Sequence, residues 1–139
     1  MNKVLIDTNI LVRYFTNDIP EKAAAVKKLL LKAKNNEIII VIQSIIIAEL
    51  IWVFESFYKL KKEKIVNVIN ALLNTPGIDI INKSTILKAI EIYSSKNVDY
   101  IDANVMAFAI INNINTVITF DKKHFKSDNN ITILNPGNI

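Results

Sequence analysis

Val4-Leu5-Ile6-Asp7-Thr8-Asn9 sets three apolar residues before Asp7-Thr8-Asn9, which supply cap chemistry for a helix from about Ile10. Such a short run, partly β-branched and followed at once by cap chemistry, is the signature of a strand buried in a parallel sheet that turns directly into a helix. Asp7 therefore stands at a strand's carboxyl end. The same punctuation recurs along the chain. Pro20 suits the first turn of a helix through Lys34, with Val26, Leu29, Leu30 and Ala33 on one stripe and Asn35-Asn36 closing it. Ile38 to Ile42 is a second buried strand, and Ser44 is the expected cap of a helix over residues 45–58. A helix over residues 62–73 ends at Asn74-Thr75-Pro76-Gly77, before a third strand at residues 78–81. Ser84 or Thr85 opens a helix to Ser95, and another runs from near Asp102 to Ile111, where Ala103 and Ala107 allow a close neighbour. Thr116 to Phe120 is the fourth strand and Ile131 to Leu134 the fifth, with Asn135-Pro136-Gly137 in the tail. Strands separated by helices or helix pairs imply a three-layer α/β domain with a mainly parallel five-stranded sheet, and a single domain over residues 1–139. In such sheets ligands bind outside the carboxyl ends of the strands.

Composition narrows the chemistry. Glycine and proline are scarce, at 2 and 3 of 139 residues, which disfavours an all-β sandwich or barrel. With no cysteine there is no disulfide framework, thiolate zinc site or iron-sulfur cluster, and the single His124 makes no histidine-based zinc site by itself. The first acid arrives after only three apolar residues, too early for a secretory signal. The most apolar window, Ile38 to Phe54, is short for a membrane span and contains Glu49, whose insertion would cost roughly 2.5 to 3.5 kcal/mol. No membrane partner and a cytoplasmic location are the resulting expectations. A net charge of +4 suits a polyanionic partner, with Lys59 to Lys64 and Lys122 to Lys126 as candidate phosphate contacts; solvated lysine faces are the simpler account.

The acids are the chemical signal. Asp7 and Asp121 each follow an apolar strand, so a parallel sheet delivers both to one edge. Glu49 lies in Ile45-Ile46-Ile47-Ala48-Glu49-Leu50-Ile51-Trp52-Val53-Phe54, a helix apolar enough that a buried carboxylate there must be paired, hydrogen-bonded or metal-bound. The alternative is one wet stripe shared with Gln43 and Ser56. Asp99 and Asp102 flank a helix start, and only one of them can be its cap. Carboxylates gathered at one edge repel unless a cation neutralises them, and an all-oxygen donor set selects Mg²⁺ or Mn²⁺. The chemistry that follows is hydrolysis of phosphate esters.

Taken in order, Val4-Leu5-Ile6-Asp7-Thr8-Asn9, Ala48-Glu49-Leu50, Asp99-Tyr100-Ile101-Asp102-Ala103 and Val117-Ile118-Thr119-Phe120-Asp121 resemble the PIN-domain ribonucleases. The short chain looks most like a VapC-type toxin of a toxin-antitoxin pair. The resemblance implies a metal-dependent endoribonuclease whose acidic quartet is Asp7, Glu49, Asp102 and Asp121, with Asp99 as an additional acid. It makes Thr8, Asn9 and Thr119 the small polar residues that orient carboxylates or water. It also implies a homodimer, an RNA substrate and a cognate antitoxin, for which Trp52, Phe54, Phe57 and Tyr58 are candidate interface residues if they are not core. The alternatives are a PIN-like RNA-processing nuclease that is no toxin, or a non-catalytic RNA-binding domain. Other phosphate-handling folds fit less well. Asn9 breaks the Asp-x-Asp of haloacid-dehalogenase-like phosphatases, the adjacent acidic pair of a receiver domain is missing, and there is no Gly-x-x-x-x-Gly-Lys loop. His124 is expected at the surface without a catalytic role.

Overall fold

In a computed structural model of the chain, residues 2–121 and 130–138 are described. The chain divides into two compact units, Met1–Ile81 and Asn82–Ile139. In the first, strand β1 (Asn2–Leu5), helices α1 (Thr8–Thr16) and α2 (Pro20–Lys34), strand β2 (Ile38–Ile42), helices α3 (Ser44–Ser56) and α4 (Lys62–Leu73) and strand β3 (Ile78–Ile80) follow one another. The three strands form a parallel sheet in the order β1-β2-β3, with Val4 opposite Ile40 and Ile40 opposite Ile78. A helix pair makes each crossover, as parallel neighbours require. β2 lies in the middle, and its Ile40 and Ile42 are fully buried, as are Leu11, Ile47, Leu50, Phe54, Ile65 and Ile69 of the same unit. All these side chains are aliphatic or aromatic, so the unit holds its own core.

The second unit contains helices α5 (Lys83–Ser95) and α6 (Tyr100–Ile111), strands β4 (Thr116–Ile118) and β5 (Thr132–Leu134), and a 3-10 turn at Pro136–Asn138. Ala103 and Ala107 are fully buried, and α5 and α6 pack against each other with Tyr93 and Tyr100 edge to face at 6.0 Å. β4 and β5 pair in parallel. Among the described residues the five expected strands are thus all present and all their pairings parallel, but they bond as three and two.

Element ends explain the local differences from expectation. Gln43, extended and without a side-chain cap bond, precedes α3, so Ser44 is the helix's first residue and not its cap. Asn82, in the left-handed region at φ 61°, precedes α5 and moves its start ahead of Ser84. β4 stops at Ile118 because Thr119 and Phe120 leave the ladder toward Asp121, although the Thr119 N–H still donates to the Leu134 carbonyl at 2.9 Å. Among the described residues no helix is long and apolar enough to cross a membrane.

Candidate active site

β1 ends at Leu5, and buried Ile6 passes the chain out of the sheet to Asp7. Asp7 is extended, exposed and caps α1, with the Ile10 N–H donating to its Oδ1 at 3.4 Å. One carboxylate oxygen is thereby turned toward the helix while the side chain stays open to solvent. Asp7 lines a cavity of about 580 Å³ with Leu5, Ile10, Gln43 and Ile46. Gln43, exposed directly after β2, enters the sequence reading only as a neighbour of Glu49 on a wet stripe, and its place on the wall of the Asp7 cavity was missed. Its position just past Ile42 repeats that of Asp7 after β1, and that repetition was the available signal.

Thr8 behaves differently. It is only 4% exposed, and its Oγ1 is buried with no hydrogen-bond partner. A hydroxyl stripped of water without replacement costs about 1–3 kcal/mol, and this one adjoins Asp7 at the helix start. Asn9, by contrast, is exposed.

Glu49 overturns the burial expected of it. It is exposed on α3, on one stripe with Ile45 and Trp52, which are 69% and 65% exposed, while Ile47, Leu50, Ile51 and Phe54 form the buried side. An apolar helix need not be buried all round; here two apolar residues share the solvent face with the carboxylate. Glu49 lies one turn beyond Ile46, a wall of the Asp7 cavity, on the same side of the helix. Of the aromatic candidates for an interface, Phe54 is core, Trp52 and Phe57 are exposed, and the Tyr58 hydroxyl donates to Asp18 at 2.9 Å.

In the second unit Asp99 is the cap of α6. Its Oδ1 accepts from the Asp102 N–H at 2.8 Å, which places Asp102, half-buried, in the first turn. Burial pushes the Tyr100 phenol up from its ordinary value, against a lowering by its hydrogen bond with Asn104, so the ring beside the cap stays neutral. Asp121 is exposed, and its N–H donates to Thr119 Oγ1 at 3.0 Å, so Thr119 fixes the backbone that carries the carboxylate. His124 and the cluster Lys122 to Lys126 lie outside the described residues.

The site residues thus divide by unit: Asp7, Thr8, Asn9 and Glu49 in the first, Asp99, Asp102, Thr119 and Asp121 in the second. Among the described residues no group of three or more acidic or imidazole side chains is gathered as a metal cage. In kind, the candidate acids offer carboxylate oxygens, the donors a hard divalent cation takes, and within the first unit Thr8 beside Asp7 keeps a buried hydroxyl without a partner.

Parallel strands joined by helix pairs, with a carboxylate exposed where a strand ends, define an α/β domain whose ligands approach the carboxyl edge of the sheet. The profile of the PIN domain family matches residues 4–129, and the chain belongs to that family. Among solved structures, a chain in the crystal structure of VapBC2 from Rickettsia felis bound to a DNA fragment from their promoter is similar, at 26% identity over 97% of this chain and 98% of that one, with a TM-score of 0.39. Comparison with curated proteins finds no match.

Proposed function

We propose that this PIN domain is a metal-dependent endoribonuclease and the toxin of a toxin-antitoxin pair. The observation that carries the nuclease reading is Asp7, exposed on the wall of a cavity at the carboxyl edge of a parallel sheet, in a chain that belongs to the PIN family. The toxin reading rests on the likeness of the chain's motifs to those of VapC-type proteins. A homodimer and a cognate antitoxin belong to that reading as well.

Asp7, Glu49, Asp102 and Asp121 would hold Mg²⁺ or Mn²⁺, with Asp99 close to Asp102 in sequence and bonded to its backbone. When bound, such an ion supplies Lewis-acid polarisation of the phosphoryl group and lowers the pKa of water. The chain's own residues orient the donors. The Ile10 N–H holds one oxygen of Asp7, the Asp99 carboxylate fixes the first turn that carries Asp102, and Thr119 fixes the backbone of Asp121. No Ser, Cys or His of the chain is required as nucleophile, since water attacks phosphorus directly in this reading.

The test is cleavage of a labelled single-stranded RNA by the purified chain and by Asp7→Asn and Asp102→Asn, each checked for native folding. Loss of cleavage in both folded variants supports the site; undiminished cleavage in either overturns it. Expression in cells separates toxin from processing nuclease. Growth arrest relieved by a small protein encoded next door supports the toxin, whereas harmless overexpression of a chain that cuts RNA removes that label and leaves the nuclease.

A further inference from the structure

A second cavity, of about 360 Å³, adjoins the one that holds Asp7, and Ile10 is a wall of both. It is lined by Asn9, Ile10, Arg13, Lys22, Ala25 and Val26 and so lies between α1 and α2, wholly inside the first unit. Its floor is aliphatic and its rim carries two cations. They differ in availability. Arg13 Nη1 is 3.0 Å from both oxygens of Asp18, so that charge is largely offset and the guanidinium is anchored. Lys22 is exposed in the first turns of α2 and makes no ion pair with any described residue.

We infer that this groove is a subsite for one nucleotide of single-stranded RNA, next to the nucleotide positioned at Asp7. The inference rests on the ribonuclease reading and adds a substrate-binding element to it. The volume falls at the lower end of ligand pockets, about 300–1,000 Å³, which suits a single nucleotide. Ile10, Ala25 and Val26 desolvate the face of a base, while Lys22 meets the phosphate that joins it to its neighbour. An acidic peptide would also match a lysine beside an apolar floor. The shared wall at Ile10 favours RNA, because a strand laid across Asp7 must continue into an adjoining groove. Ile10, Ala25 and Val26 present no hydrogen-bonding side chain to a base edge, and Asn9 is the one uncharged polar side chain in the lining that could meet one.

The test measures binding of a labelled ten-nucleotide single-stranded RNA by the full chain carrying Asp7→Asn, which prevents turnover, against the same chain with Lys22→Ala, Lys22→Arg or Ala25→Phe. Lys22→Ala is expected to weaken binding several-fold and to flatten the plot of log affinity against log salt by about 0.7, the share of one phosphate contact on a single strand. Lys22→Arg restores both. Ala25→Phe, which fills the groove, weakens binding and leaves the salt slope unchanged. Parent affinity in both Lys22→Ala and Ala25→Phe overturns the subsite. So does equal loss on duplex RNA, or displacement of an acidic peptide and not RNA by these changes. A parent chain with Asp7 intact that cleaves no RNA is a separate result, and it overturns the ribonuclease reading on which the subsite depends.

Discussion

Thr8 and Gly77 are the two residues where local chemistry is least free. The Thr8 hydroxyl is buried without a partner, so replacing it with the isosteric Val removes a desolvated polar group and nothing that bonds to it. Thr8→Val is expected to leave unfolding free energy unchanged or raise it by up to about 1 kcal/mol, read by denaturant titration. RNA cleavage is expected to fall in the same variant, because the hydroxyl adjoins Asp7. Gly77 has φ +80°, and a Cβ there would run into the backbone carbonyl of Ala33, the point where the α4–β3 turn touches α2. The Gly77 carbonyl also accepts from the Ile40 N–H at 2.9 Å, so the turn cannot move away without breaking into the sheet. Gly77→Ala is expected to cost about 2 kcal/mol or more and to lower Tm accordingly.

At the scale of elements, the connection after α1 is clamped by Asp18. Its carboxylate takes Arg13 Nη1 on both oxygens, Thr16 Oγ1 at 3.0 Å and the Tyr58 hydroxyl at 2.9 Å, joining the end of α1 to the residues after α3. These donors, Tyr58 first and Arg13 next, hold Asp18 below its ordinary 3.8. A carboxylate depressed in the folded state contributes its stability in full above the ordinary value and loses it as pH falls through the lowered one. The difference in Tm between the wild type and Asp18→Asn is therefore expected to be constant from neutral pH down to about 4 and to shrink below that. A gap that widens on acidification contradicts the clamp.

Elements were also where the sequence was most and least legible. The bounds of β2 and α4 match the expected residues because apolar runs there end abruptly at polar or turn residues. Asp7 and Asp99 as caps follow from side-chain chemistry within three residues of the helix start, information that is local. Glu49 was misjudged because periodicity says which face of a helix is most apolar and not whether the opposite face, apolar too at Ile45 and Trp52, is covered. The place of Gln43 beside Asp7 escaped because an amide after a strand, unlike a carboxylate, does not mark chemistry by itself, although its position after β2 repeats that of Asp7 after β1. Lys22 and Arg13 become neighbours only when α1 and α2 fold against each other, which residue spacing does not encode.

For the molecule as a whole, the proposed metal dependence sets the expected response to chelation. Chelation with EDTA is expected to stop RNA cleavage, and Mg²⁺ or Mn²⁺ to restore it, with no loss of helical circular dichroism in between. The last point follows from cores that are apolar within each unit and do not depend on an ion. Asp7→Asn is expected to lower cleavage by about 100-fold or more under saturating Mg²⁺, measured as a single-turnover rate. Activity that survives exhaustive chelation contradicts the metal-dependent reading.

The described chain takes positive φ at Asn17, Asn36, Lys59, Asn82 and Asn113 as well as at Gly77, so asparagine does most of the turning that glycine does elsewhere. Asparagine tolerates this region because its short amide bonds locally to the backbone. At four of these six positions the chain thus turns on asparagine, a residue stiffer than glycine, at helix ends and connections. A residue stiffer than glycine leaves the unfolded chain fewer conformations to lose, which offsets part of the strain of holding a side chain at positive φ.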